Sequence, residues 1–578
     1  MKTARIPALL CLVVAFAACD KKPAPEAPQA QDWPAFVQQF ADEFMEAHPM
    51  MAFAAGRKEY AGRFPDWSAN GIAAEIARLK SAAVQAKAFD SAKLTEAQRF
   101  ERDYLLAVVG RHLFWLERAE WPFRNPTFYF DWNLDFLSPD PYLTKPYAPP
   151  EQRLQDFTKW MGNIPAATAQ IQANLRAPLP RTWIDQGVAS FGGMVPFLRD
   201  DAPQVFAEVK DASLQSAFAE ANRKAIAAFK ALADWLEAQR ATQTEDYAIG
   251  GALFAAMLQE TEGVEVPLDR LLTAGKADLE RNLAALDEAC REYAPGRDRK
   301  GCMDKMNANR PQGGAVEGAR KQLDTLRAFV VEHGIVTIPS DDPIRVDQAP
   351  PYQATNFAYI NPAGPYDVGM PSTYYIAPPD PSWPKAEQDA YTPGRADLMS
   401  TSVHEVWPGH FLHSLHSNRA KSLVGRLFLS YAFTEGWAHY AEEMMWEAGL
   451  DRGLKGGRAE YRVGQINKAL YRNVRYICAI GMHTQGMKVE DCETMFREQA
   501  FQDPGNARQQ AARGTYDPGY LNYTLGKLMI RKLRDDWTAM RGGREARRSF
   551  HDEFLSFGGP PVPMMRRAML GDRAGAAL

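Results

Sequence analysis

Six of the ten histidines in this chain lie between positions 404 and 483, and two of them frame the run His404-Glu405-Val406-Trp407-Pro408-Gly409-His410. Two imidazoles flanking a carboxylate suit a divalent cation. In a zinc hydrolase such a pair is commonly spaced i, i+4, about 40° apart on one helical face, and the glutamate between them serves as general base toward water on the metal. Here the spacing is i, i+6, about 120° apart on an ideal helix, so the two rings can share one ion only if the helix is interrupted. Pro408 lacks the N–H that would bond back to the His404 carbonyl, and Gly409 follows it. The deviation and its remedy occur together. A kinked core helix is the alternative reading of the same run.

A second segment follows one loop later. Glu435, His439 and Glu442 recur at i, i+4 and i+7, one stripe of a helix. A carboxylate from a second helix can complete a three-ligand site and leave the fourth position to water, so Glu435 is the candidate third ligand. A solvated acidic face is the bland alternative. Amide hydrolysis also needs a donor for the developing oxyanion, worth roughly 3–4 kcal/mol of barrier. Tyr523 is the first candidate, with His483 and Tyr520 behind it. Arg475, in a helical stretch with Arg472, is a candidate for a substrate carboxylate, which would suit exopeptidase action; an ordinary surface arginine is the competing reading. His413 and His416 are left out as ligands, because a lone helical histidine is more often core or surface.

The pair of runs HEVWPGH and EGWAHYAE resembles the bacterial family known as domain of unknown function 885. The early AHPMMAFAAG, the middle INPAGPYD, and the late RNVRYICAIGMH and YLNYTLGK fit it as well, so the resemblance covers nearly the whole mature chain. It implies a zincin-like metallopeptidase fold, distantly related to helical carboxypeptidases and oligopeptidases. It also implies histidine ligands at His404 and His410, a general base at Glu405 and a third ligand at Glu435.

The elements that must position these residues read as mainly helical. Phe36, Phe40, Phe44 and Met45 recur at near-helical spacing, and Thr95 with Gln98 three residues later has the form of a capping box. Residues 121–150, dense in aromatics and prolines, read as a packed loop near a cleft. Helical pattern returns over 150–240 and 267–333. Between 334 and 393 the pattern changes to three short β-rich runs, Ile335–Ile338, Asn356–Ile360 and Ser372–Ile376, which predict one small sheet just before the active-site helix. Helices then continue to about 557.

Composition is that of an ordinary globular protein, 46% hydrophobic and 24% charged, which argues against disorder. The net charge of −4 leaves no electrostatic footprint for nucleic acid. At the N-terminus, Lys2 and Arg5 precede an apolar run from Ile6 to Ala18, shorter than the about 20 residues of a membrane helix. The run ends Phe16-Ala17-Ala18-Cys19, which predicts a signal peptide over 1–18, lipidation of Cys19 and a Pro/Ala-rich tether over 19–31, with the helical metallopeptidase-like domain over 32–578. Plain secretion is the alternative. Asp20 directly after the lipidated cysteine favours the periplasmic face of the inner membrane in a Gram-negative host. The four further cysteines form two local pairs, Cys290 with Cys302 and Cys478 with Cys492, and an oxidising compartment favours disulfides over four buried thiols.

The sequence reading is therefore a zinc-dependent hydrolase holding one ion on His404, His410 and Glu435 with water in the fourth position. It would act on short peptides held along the sheet edge and be attached to a membrane by its lipid. A metal-dependent hydrolase of other amides or esters is one rival, and a non-catalytic peptide-binding lipoprotein the other. An intact Glu405 argues against the last, because a binding protein needs no general base.

Overall fold

The structure is a computed structural model that describes residue 1 and residues 32–130, 137–350, 357–450 and 457–578. Met1 apart, the signal segment, Cys19 and the tether lie outside the described residues, as do Asn356 and positions 131–136 of the aromatic-rich stretch.

The chain is mainly α. The helix Trp33–Ala47 starts where Asp32 accepts the Ala35 N–H, and it buries Phe36, Phe40, Phe44 and Met45 as their spacing requires. Thr95 and Gln98 form both bonds of the capping box. Between 121 and 150 the described residues form short helical turns, among them Trp121–Arg124, Pro126–Phe130 and Asp140–Thr144. Phe130 and Leu137 from this stretch line the large cavity described below.

A three-stranded sheet precedes the site, with β1 (Ile344–Gln348), β2 (Ala358–Asn361) and β3 (Ser372–Ile376). β3 lies in the middle, parallel to β1 and antiparallel to β2, and every one of its residues is buried. The expected strand at Ile335–Ile338 does not form. Asp552 accepts the Thr337 N–H at 2.7 Å and His551 bonds the Ile335 carbonyl at 2.8 Å, so side chains of the helix Arg547–Ser556 take groups that a ladder would have used. The run is apolar because Ile335 and Val336 are core residues. The first strand comes six residues later, where Val346 alone of its strand is buried.

Seven helices build the centre: α1 (Leu268–Tyr293), α2 (Arg395–Glu405), α3 (His410–Ser417), α4 (Tyr431–Ala448), α5 (Gly457–Thr484), α6 (Pro504–Tyr516) and α7 (Asn522–Ala539). α5 packs along α1 and crosses α2, while α4 lies along α7. α2 is buried from Ala396 to Glu405 and α4 from Tyr431 to Met445, so polar residues on either helix face protein or the cavity rather than bulk water. The Ser430 hydroxyl caps α4 at the Phe433 N–H, and Gly449, at φ 91°, ends it in the left-handed conformation. Both cysteine pairs are disulfides, Cys290–Cys302 and Cys478–Cys492. Among the described residues no helix is long and apolar enough to cross a membrane.

Candidate metal centre

The helix carrying His404 stops at Glu405, and a new one begins at His410. The four residues between them fold back on the last turn of α2. Gly409 lies so close to that turn that a Cβ there would sit 1.7 Å from the His404 carbonyl oxygen, which no side chain could tolerate. The Trp437 indole donates to the Pro408 carbonyl at 2.8 Å and fixes the fold-back from α4. The His404 and His410 rings thereby come within 4.7 Å of each other, nearly perpendicular. The interruption demanded by the i, i+6 spacing is present, and it lies where Pro408 and Gly409 stand.

Glu435 reaches the same point from the first turns of α4. Its Oε2 is 3.3 Å from His404 Nε2 and 3.3 Å from His410 Nε2, and the three ligand atoms lie within 4.8 Å of one another. That oxygen is buried and has no well-aligned hydrogen bond. Ligands held about 2.0–2.1 Å from a tetrahedral zinc are themselves about 3.3 Å apart. Two imidazoles, a carboxylate and this spacing fit zinc. Burial alone would raise the Glu435 pKa, but His410 and His404 hold it well below the ordinary carboxylate range, so it is ionised.

Behind the triad, Glu442 on α4 takes His404 Nδ1 at 2.8 Å. With Nδ1 as the N–H donor, the Nε2 lone pair is left facing the triad. Arg472 on α5 contacts Glu442 at 3.1 Å and also approaches His404 Nδ1 at 3.0 Å. Burial would push Glu442 up, but Arg472, then His439 and His404, keep it well below its usual range. His439, the middle residue of the stripe, is fully buried beside Glu442, with Nδ1 3.4 Å from Oε2, and lies outside the triad.

Glu405 lines the cavity and has no hydrogen-bond or ion-pair partner among the described residues. Burial raises its pKa, opposed in part by His404 and His410. A carboxylate that binds protons more readily than usual, beside three groups that could hold a metal ion, can serve as a proton acceptor. Tyr523 enters from α7, its ring nearly parallel to His404 at 6.1 Å. The approach depends on two glycines. A Cβ on Gly436 would lie 2.5 Å from the Gly526 Cα, and one on Gly526 only 1.9 Å from the Ala432 carbonyl oxygen. α4 and α7 therefore touch backbone to backbone, at the residue after Glu435 and one turn from Tyr523.

These groups open into a cavity of about 1340 Å³ that holds the whole triad, Glu405, Tyr523 and Arg475, and that β2 also lines. The expectation for His483 is corrected. It lies outside this cavity, its Nε2 bonds the Gly514 carbonyl at 2.7 Å, and its Nδ1 faces the Ile249 N–H at 3.4 Å. Both ring nitrogens are engaged by backbone, and burial lowers its pKa to about 4. Tyr520 is likewise buried outside the cavity. Sequence reasoning missed the carboxylate–arginine pair behind His404, although Glu442 shares the Glu435 stripe and Arg472 stands three residues from Arg475 on one helical face. It also missed Arg513, which lines the cavity from α6 and has no distinguishing sequence pattern.

Two solved structures share this architecture. A candidate lipoprotein of unknown function from Shewanella oneidensis superposes with a TM-score of 0.73 at 23% identity, covering 93% of this chain and 100% of that one. A candidate lipoprotein from Colwellia psychrerythraea does so with a TM-score of 0.78 at 17% identity, covering 93% and 98%. No curated protein matches the chain. The family described as "Bacterial protein of unknown function (DUF885)" matches residues 49–569, and with nearly the whole chain included this protein belongs to that family.

Proposed function

We propose that this protein is a zinc-dependent hydrolase with a zincin-like site, acting as a peptidase on short peptides. One observation carries the reading: two imidazole nitrogens and the unbonded Glu435 oxygen converge, and the partnerless Glu405 carboxylate opens into the same cavity. A zinc ion held by His404, His410 and Glu435 would supply Lewis acidity toward a carbonyl and toward water. Glu405 accepts a proton from water on its carboxylate and passes it to the leaving amine. The Tyr523 hydroxyl donates to the oxygen of the carbonyl under attack. Glu442 keeps His404 in the tautomer that presents Nε2. The unpaired side of β2 offers main-chain hydrogen bonds to an extended peptide. The signal-like N-terminus ending at Cys19, and the two solved relatives described as candidate lipoproteins, support a lipid-anchored protein of the cell envelope, at the periplasmic face of the inner membrane in a Gram-negative host.

The test joins metal analysis to a peptide screen. The purified protein should hold about one zinc per chain. Glu405→Gln should retain that metal while turnover on the best peptide falls by about 10²–10⁴. Wild-type turnover in the variant would exclude Glu405 as the base. Turnover confined to non-peptide amides or esters would redirect the substrate assignment.

A further inference from the structure

Three guanidinium groups surround the Tyr523 ring: Arg475 at 4.7 Å from its centroid, Arg472 at 5.6 Å and Arg513 at 5.9 Å. Two of them are neutralised. Arg472 contacts Glu442 at 3.1 Å, and Arg513 contacts Asp517 at 2.8 Å. Arg475 differs. It is only 5% exposed, yet no carboxylate lies within ion-pair distance of it among the described residues. Its Nε donates to the neutral Gln510 at 2.8 Å, and Tyr471 flanks its guanidinium at 4.5 Å. A buried cation without a counter-ion is costly, and the cost is tolerated most readily where a ligand anion completes the pair. Arg475 lines the cavity, and the Tyr523 ring contacts both its guanidinium and the His404 ring.

We infer that Arg475 is the receptor for a carboxylate on the residue that follows the scissile amide, so that the site releases single residues from the C-terminal end of short peptides. The inference rests on the hydrolase reading and narrows its substrate class. Adjacent residues in a chain are 3.8 Å apart at Cα, so a carbonyl at the triad places the next residue's carboxylate within about one side chain's reach. Tyr523 packs against both His404 and the guanidinium, so its hydroxyl can serve the carbonyl while its ring holds the arginine. The planar fork of Arg475, already oriented by Gln510 and the two tyrosines, suits two-point binding of a carboxylate. The same chemistry has two sources, the terminal α-carboxylate or an acidic side chain on that residue, and the assay separates them.

The experiment measures kcat/KM of the zinc-loaded protein on an N-acylated dipeptide as free acid, on its C-terminal amide, and on an amide whose last residue is glutamate. The free acid should exceed the plain amide by about 30- to 4,000-fold, the range for truncating one partner of a buried charge pair. Arg475→Gln should bring the acid down to the level of the amide, and Arg475→Lys should restore part of the difference. Recovery of the rate by the glutamate amide would assign the carboxylate to a side chain; a low rate would assign it to the C-terminus. Equal rates for acid and amide in the wild type would overturn the inference while leaving the hydrolase reading intact. If no peptide is cleaved, the peptidase reading fails, and calorimetric binding of the same acid and amide to the zinc-loaded protein decides. Preference for the acid, lost in Arg475→Gln, upholds the carboxylate receptor; no preference overturns it.

Discussion

Five of the six histidines between 404 and 483 fall into two groups that sequence alone does not separate. His404 and His410 turn Nε2 toward a shared carboxylate. His413, His416 and His483 each spend a ring nitrogen on a backbone carbonyl, of Gly558, Thr337 and Gly514 respectively. All but His410 and His416 of these five are fully buried, so burial is not what distinguishes a ligand. The distinction is the partner. An imidazole nitrogen held as an N–H donor to a carbonyl has no lone pair for a metal, and one facing an ionised carboxylate across 3.3 Å leaves a gap that a cation fits. Helical stretches rich in histidine can therefore be mostly scaffold.

The strongest way to break this comparison is to remove a member of the first group. His410→Ala should lower zinc affinity by more than the roughly 100-fold that loss of an outer partner costs, and His483→Ala should leave zinc content unchanged. Equal loss in both, measured by metal analysis at matched stability, would erase the difference between the groups. A smaller effect tests the layer behind. Glu442→Gln should weaken zinc binding by about 10- to 100-fold, because the amide can still accept from His404 Nδ1 but no longer carries the charge that favours that tautomer. Unchanged affinity would show that ring packing alone orients His404.

The last test concerns the scaffold histidines and pH. Burial lowers His483 and His551 to about 4, against about 6.5 in an unfolded chain. As pH falls below 6.5 the unfolded chain takes up these protons first. The stability associated with the neutral buried rings is thus complete above pH 6.5 and is lost progressively toward pH 4, by about 3 kcal/mol per ring. The melting temperature should decline over that window, and His483→Gln, which can still donate to Gly514, should make the decline shallower. A melting temperature flat from pH 6.5 to 4.5 would show that these rings do not report on folding.

What was legible in the sequence was what neighbours in the chain decide. The capping box at Thr95 and Gln98, the strand Ser372–Ile376 and the break at Pro408-Gly409 each follow from a few consecutive residues, and the structure contains all three. The partners of distant residues were not legible. Ile335–Ile338 has the composition of a strand, but Asp552 and His551, more than two hundred positions away, claim its backbone. His483 looked catalytic because it is a histidine near the others, and only the fold shows its nitrogens occupied. Arg475 was visible as an arginine, but its lack of a counter-ion became visible only when Glu442 and Asp517 were seen to serve its neighbours.

The contact of Gly436 with Gly526 bears on how an ion would enter the proposed site. With α4 and α7 in backbone contact at these glycines, the packing that brings Glu435 and Tyr523 to one cavity is set by the chain itself. Small zinc modules are unfolded until metal arrives, and for them acquiring the ion and acquiring a shape are one event. Here the socket precedes its occupant. An ion would meet three ligands already in register, exchange water for them and keep water in the fourth position. Exchange of one ion for another is then a matter of local chemistry and supply, uncoupled from folding.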